Sequence, residues 1–269
     1  MVKLNYNIEL IIIYKKGGKM KQFFKENWKF LLLVLLGGLI GGYCIGLYSY
    51  DSLSSELLKQ LQDQNVSKEM LGLASMIQYG ITFGLILAII GILLSKKINL
   101  WNDFKLDKKA IITTIIITII AALLLFPGDK LIFGSINNWV AEQYTIKPTI
   151  YKMIGELLVG GIIEEVMMRL FFMSLVVFII SKVLKKKEIP TIVFIIANIL
   201  AALLFAAGHL PTTATMTTLT PIMIFRCFLF NGGIGLAFGY LYRKYNIRYA
   251  MISHGLSHLI ADILMLICI

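Results

Sequence analysis

Apolar residues gather in runs of about 20 residues, separated by short clusters of lysine and arginine, and within the runs there is no strict alternation of apolar and polar positions. An α-helix rising 1.5 Å per residue needs about 20 residues to cross a hydrocarbon core, so each run reads as a membrane span. Spans are expected near Lys29–Tyr50, Ser75–Leu94, Ala110–Phe126, Ile154–Val183, Thr191–His209, Pro221–Tyr242 and Tyr249–Ile269. The predicted fold class is all-α: a polytopic transmembrane helical bundle of seven spans. Leu131–Tyr144, moderately apolar and carrying Trp139 and Tyr144, reads as an interfacial helix, or as an eighth span if it crosses.

Composition agrees with a lipid solvent: 58% of the 269 residues are hydrophobic and 15% charged. The net charge of +11 could suggest a nucleic-acid partner, but the cations sit between spans, so no nucleic acid is expected and the partner is the lipid bilayer. With the N-terminus cytoplasmic, the inner segments hold nineteen Lys and Arg and the outer ones only Lys59, Lys68, Lys130, Lys147 and Lys152. That asymmetry predicts a multi-pass protein of the cell membrane with a cytoplasmic N-terminus. Residues 1–19 stand apart, because Ile11-Ile12-Ile13 is too short to span and Lys15-Lys16-Gly17-Gly18-Lys19 precedes Met20. They are expected to be an untranslated leader or a cytoplasmic tail, followed by N-terminal spans over 20–150 and a C-terminal core over 151–269.

Three features of the runs add detail. Gly37, Gly38, Gly41, Gly42 and Gly46 in the first span, and Gly232, Gly233, Gly235 and Gly239 in the sixth, have the spacing that lets helix backbones approach closely. Cys44, Cys227 and Cys268 lie in apolar runs and form no Cys-x-x-Cys, so they read as packing residues. Ionisable residues inside spans are more informative, since a central charge costs about 2.5–3.5 kcal/mol on insertion scales.

Such residues are Glu156, Glu164, Glu165, Arg169, His209, Arg226, His254, His258 and Asp262, and they include every histidine of the chain. Glu165 and Arg169 are one helical turn apart and can pair, which leaves Glu164 free to point elsewhere as a general base. Phe205 and His209 share a face of span 5, and His254, His258 and Asp262 align along span 7 at i, i+4 and i+8. Straight, flush helices would keep these groups at different depths, so stagger, tilt or a re-entrant entry is needed to bring them together.

In order and spacing, Glu-Glu-x-x-x-Arg, then Phe-x-x-x-His, then the last intramembrane histidine resemble the CAAX protease and bacteriocin-processing (CPBP, or Abi) family over about Tyr151–Leu264. The resemblance implies that Glu164 activates water, that Glu165 and Arg169 adjoin it, and that His209 and His254 complete the catalytic set. The family's final motif usually reads His-x-x-x-Asn or His-x-x-x-Asp, whereas here His258 follows His254 by four. Phe238-Gly239-Tyr240-Leu241-Tyr242 resembles the family's lead-in and favours His254 as the motif histidine, with His258 also in the catalytic set. Starting instead at His258 recovers His-x-x-x-Asp with Asp262.

Two mechanisms stay open at this stage: a metal-free one in which Glu164 and a histidine activate water, and one in which His209, His254 and a carboxylate hold zinc. His-Glu-x-x-His, Gly-x-Ser-Gly and Gly-x-Gly-Asp are all absent, which disfavours zincin, serine and aspartyl chemistry. The expected activity is hydrolysis of a peptide bond in a membrane-associated peptide or lipidated protein. The Lys- and Ile-rich, bacterial-style sequence favours peptide processing or bacteriocin self-immunity over prenyl-protein maturation. The alternatives are a non-catalytic scaffold or immunity protein that binds a partner, and a proton-coupled transporter, for which no inverted repeat is evident.

Overall fold

The structure is a computed structural model that describes the backbone of residues 4–185 and 188–269, with side chains from residue 18 onward. The expected leader, 1–19, therefore lies largely outside the residues whose side chains are described. Among the described residues all regular structure is helical, and seven helices are long and apolar enough to cross a bilayer. They are α1 (Leu4–Asp51), α3 (Lys68–Lys97), α4 (Lys108–Ile132), α6 (Ile150–Leu184), α7 (Thr191–Met216), α8 (Pro221–Lys244) and α9 (Ile247–Cys268), with short α2 (Ser55–Asp63) and α5 (Asn138–Gln143) between them. The expected seven spans are all present, and the protein is a multi-pass membrane protein.

Several boundaries differ from the expectation. Leu131–Tyr144 does not form an eighth span: the chain turns after Ile132, exposes Leu131 and Ile136, and restarts as α5, where the Asn137 side chain caps Val140 N–H at 3.1 Å. Span 5 does not stop at His209, because α7 runs through Pro211 to Met216. Thr213 and Thr215 hydroxyls bond back to the carbonyls of His209 (2.9 Å) and Thr212 (2.7 Å), local satisfaction of the kind that lets proline persist in membrane helices.

The sides of each helix are sorted as lipid demands. On α4 the buried positions are Ala110, Thr114, Thr118, Ala121 and Ala122, while Ile112, Ile115, Ile116, Ile119, Ile120 and Leu123 face outward. On α7 alanines 197, 201, 202 and 206 are buried while Ile195, Ile196, Ile199, Leu203 and Leu204 are exposed. Without a hydrophobic drive between helices, small residues win the interfaces because they allow close backbones, and polar pairs such as Thr118 Oγ1 to Ser253 Oγ (3.0 Å) join helices.

The glycine stripe of α1 does this on two sides. A Cβ on Gly38 would sit 2.5 Å from the Tyr79 carbonyl oxygen of α3, and one on Gly41 would sit 2.6 Å from Leu158 Cβ of α6. On α8, Gly235 and Gly239 likewise meet Arg169 and Asn198, whereas Gly233 has nothing within 4 Å. Gly38→Ala should therefore lower the detergent melting temperature, by an overpacking penalty of about 1–3 kcal/mol, because the obstruction is backbone that cannot rotate away. An unchanged melting temperature would contradict that close crossing. Cys44 and Cys227 are buried as expected of packing residues, but Cys268 is exposed near the end of α9.

Candidate active site

The groups expected to meet do so, through stagger and two close crossings. Span 7 begins beneath the 98–107 connection: Asn246 donates to Asn102 O at 2.9 Å and Tyr249 to Lys105 O at 2.8 Å. The Arg248 guanidinium lies over the rings of Phe30, Trp101 and Phe104 at 5.3 to 5.8 Å, so it is covered by aromatic rings and does not fix His254 near the membrane surface. His209 lies seven residues before the end of α7, about 10 Å of helix, rather than at its tip. On α6 the middle, Glu156–Glu164 and Val166–Met173, is wound, like parts of α3, α4 and α8, in the wider π-type form. There α9 crosses at glycine: a Cβ on Gly161 would stand 2.7 Å from Gly255 Cα, and one on Gly160 would touch His258 at 3.3 Å.

Glu165 and Arg169 are both fully buried and pair at 3.2 Å, as the i, i+4 spacing predicts. Arg169 also donates to Gly235 O at 2.8 Å and stacks over the Phe205 ring at 5.0 Å and the Phe238 ring at 5.8 Å. The approach of its Nη2 to within 2.8 Å of a Cβ at position 235 explains the glycine there. Glu165 Oε1 further accepts from His254 Nδ1 at 2.8 Å. His254 is buried, stacked on Phe238 with ring centroids 4.5 Å apart, with Phe205 edge-on at 6.0 Å.

His209 donates from Nδ1 to Phe205 O at 2.8 Å, since a carbonyl can only accept, and its ring meets Phe205 edge-on at 4.6 Å. Its Nε2 is therefore free of that bond and lies 3.9 Å from Glu164 Oε1, while His254 Nε2 lies 3.8 Å from Glu164 Oε2. The Glu164 side chain is 23% exposed and that of His209 35%, against 5% for His254, so the cluster is more accessible on the Glu164–His209 side.

His258 bridges His254 and a second charged cluster. Its Nε2 lies 3.2 Å from His254 Nε2 and its Nδ1 3.4 Å from Glu156 Oε2. Lys152 pairs with Glu156 at 2.7 Å and with Asp262 at 2.6 Å. Asp262 thus joins the Lys152 cluster instead of continuing the imidazole line. By sequence Lys152 is an outer-segment cation, and its i, i+4 spacing from Glu156 at the start of α6 is the signal that links the two. Likewise Arg226, an intramembrane cation by sequence, forks onto Asp129 from the end of α4. Tyr144 donates to the same carboxylate at 2.5 Å, and burial, with Asp129 beside it, pushes the Tyr144 hydroxyl up so that it remains a donor.

Among the described residues no three His, Cys, Asp or Glu side chains are grouped to hold a metal ion. The expected pair, His209 and His254, does not fit zinc as placed. Tetrahedral zinc at 2.0–2.1 Å would hold its ligand atoms about 3.3 Å apart. The ring nitrogens instead stand 3.8 and 3.9 Å from Glu164, and His254 Nε2 already has His258 as a partner. No step below passes through a metal.

No curated protein and no solved structure matches the chain. Residues 145–260 match the family model described as type II CAAX prenyl endopeptidase Rce1-like, a segment that contains Glu164, Glu165, Arg169, Phe205, His209, His254 and His258 and ends before Asp262. This matched segment, which carries the groups around Glu164, is similar to the CAAX-protease (CPBP) family.

Proposed function

We propose that the protein is an intramembrane endopeptidase that hydrolyses a peptide bond in a membrane-associated, lipid-modified substrate, with Glu164 as the general base. One observation carries the reading: of the carboxylates around the cavity, Glu165 is neutralised by Arg169 and Glu156 by Lys152, whereas Glu164 faces only imidazole nitrogens at 3.8 and 3.9 Å. Those gaps exceed a direct hydrogen bond and suit a bridging water. A water beside Glu164 and His209 Nε2 meets two acceptors, to which it can give both protons, leaving its lone pairs toward a carbonyl carbon.

In this mechanism Glu164 takes a proton as the water oxygen bonds to the carbonyl carbon, and the carbonyl electrons move to its oxygen. The carbon–nitrogen bond then breaks while the Glu164 proton passes to the departing nitrogen, which yields a carboxylate and an amine and regenerates the base. Arg169 and Glu165 hold His254 in one tautomer, and Phe205 and Phe238 fix the planes of both rings. The family description supports a prenylated substrate; nothing observed supports bacteriocin immunity. The basic connections support a cell-membrane protein with its N-terminus inside.

The register of the last motif is favoured at His254, since that residue touches both Glu165 and the cavity while Asp262 is held by Lys152. His254→Ala should abolish cleavage of a prenylated peptide by the purified protein. His258→Asn should retain activity to within about tenfold, about 1.4 kcal/mol, because an amide N–H replaces the imidazole donor to His254. An active His254→Ala beside inactive His258→Ala and Asp262→Ala would move the motif by one turn. Normal partner binding without cleavage by the wild type would favour the scaffold reading, and substrate flux in proteoliposomes the transporter.

A further inference from the structure

Away from Glu164, the ends of α3, α6 and α8 and the start of α7 meet around an open cavity of about 870 Å³. Lys97, Lys182, Lys185 and Arg243 line it, and Glu188 is the one carboxylate among the described lining residues. A groove of about 270 Å³ adjoins it between α7 and α8, lined by Ile195, Ile199, Leu236 and Tyr240, and Phe194 and Arg243 belong to both spaces. We propose that this composite site holds one anionic phospholipid, with its phosphate among the cations and an acyl chain in the groove.

The cations converge. Lys97 Nζ lies 5.2 Å and Lys182 Nζ 5.4 Å from the centre of the same Phe178 ring, so positive charges from α3 and α6 share one aromatic side chain. The Arg243 guanidinium lies 5.0 Å from the Phe194 ring and donates to Thr191 Oγ1 at 3.0 Å, which holds it where cavity and groove join. None of the four is in an ion pair among the described residues, whereas neighbouring Lys96 pairs with Glu26 at 2.9 Å. Cations that served only to complement the carbonyl ends of their own helices would not need to meet. Four of them against Glu188 leave three positive charges to be matched, and an anion in the cavity matches them.

The groove decides which anion. Ile195, Ile199, Leu236 and Tyr240 are all exposed on the outer surface of spanning helices, where hydrocarbon is the solvent. Asn198 Nδ2 donates to Leu236 O at 2.9 Å and so joins the two walls, which makes the groove a fixed feature of the α7–α8 pair. Free phosphate would fill the cavity and leave the groove empty. A phospholipid has the same order of parts as the site, a charged headgroup at the boundary with water and a chain in the hydrocarbon, and basic pockets between membrane helices hold such headgroups. Lys182 follows Glu164 by eighteen residues, roughly 25 Å of helix, so the site is separate from the hydrolytic groups.

The test uses the full chain in detergent micelles doped with equal amounts of phosphatidylglycerol and phosphatidylcholine, with native mass spectrometry counting the lipids retained. The expected result is one phosphatidylglycerol per chain, preferred about tenfold or more over phosphatidylcholine. Lys182→Ala/Lys185→Ala should lower that retention about tenfold, and so should Ile199→Trp, which fills the groove and leaves every charge in place. Lys105→Ala/Lys108→Ala removes two exposed cations from the same end of the bundle but outside the cavity, and should leave retention unchanged. Melting temperatures in lipid-free detergent, equal to that of the wild type, separate these effects from misfolding. Equal retention of both lipids, or an equal loss with the Lys105 and Lys108 pair, would overturn the proposal in favour of general attraction to a basic surface. Unchanged retention by Ile199→Trp, or displacement by millimolar inorganic phosphate, would overturn the lipid as occupant and leave a simple anion site. No readout involves cleavage, so the lipid site stands or falls apart from the hydrolytic reading.

Discussion

Arg169→Ala is expected to remove most folded protein from the membrane, whereas Glu164→Ala should accumulate near wild-type levels. Arg169 is fully buried and joins α6 to three other places: Glu165 on its own helix, the Gly235 carbonyl on α8 and the Phe205 ring on α7. Removing it strands the Glu165 carboxylate at zero exposure and leaves a void between two aromatic rings. Breaking a buried pair from one side is destabilising by about 3–5 kcal/mol, a large part of the total stability of a typical protein. Glu164 has no direct hydrogen-bond partner among the described residues and is 23% exposed, so its loss leaves no buried charge unpaired. Matched expression with detergent-solubilised gel filtration measures the difference. Equal folded yields would contradict the division of the Glu-Glu pair into one structural and one chemical carboxylate.

Glu164→Gln should give the opposite profile: a folded protein with kcat lowered by about 10²–10⁴-fold, the usual contribution of a positioned general base. Glutamine retains the shape and one acceptor oxygen, so substrate binding should change little and the loss should fall on kcat rather than KM. Thermal melting in detergent, run beside the assay, separates this result from unfolding. A Glu164→Gln enzyme within a few-fold of the wild type would assign the base to another residue.

The seven spans were legible because each apolar run is long enough that only a helix can satisfy its backbone in lipid. The Glu165–Arg169 pair was legible because i, i+4 is a local rule, and the meeting of Glu164, His209 and His254 was implied by the family resemblance and by nothing in their spacing alone. What was hidden depends on neighbours. Pro211 signalled an end to span 5, yet α7 continues to Met216, with the Thr213 and Thr215 hydroxyls bonding back into it. Only the fold places Phe30, Trp101 and Phe104 around Arg248. The Gly161–Gly255 crossing and the Lys152–Asp262 contact join residues 94 and 110 positions apart, separations that no periodicity within one helix reports.

The measurement closest to the central claim is a single turnover of a prenylated peptide by excess purified protein in H2(18)O, with Glu164→Gln in parallel and both products weighed by mass spectrometry. If Glu164 activates water that attacks the carbonyl directly, the first product carries solvent ¹⁸O in its new C-terminal carboxylate, and the variant yields almost none. Unlabelled oxygen in that first product would mean that the Glu164 carboxylate itself attacks, and equal cleavage by the variant would mean that Glu164 is not the base.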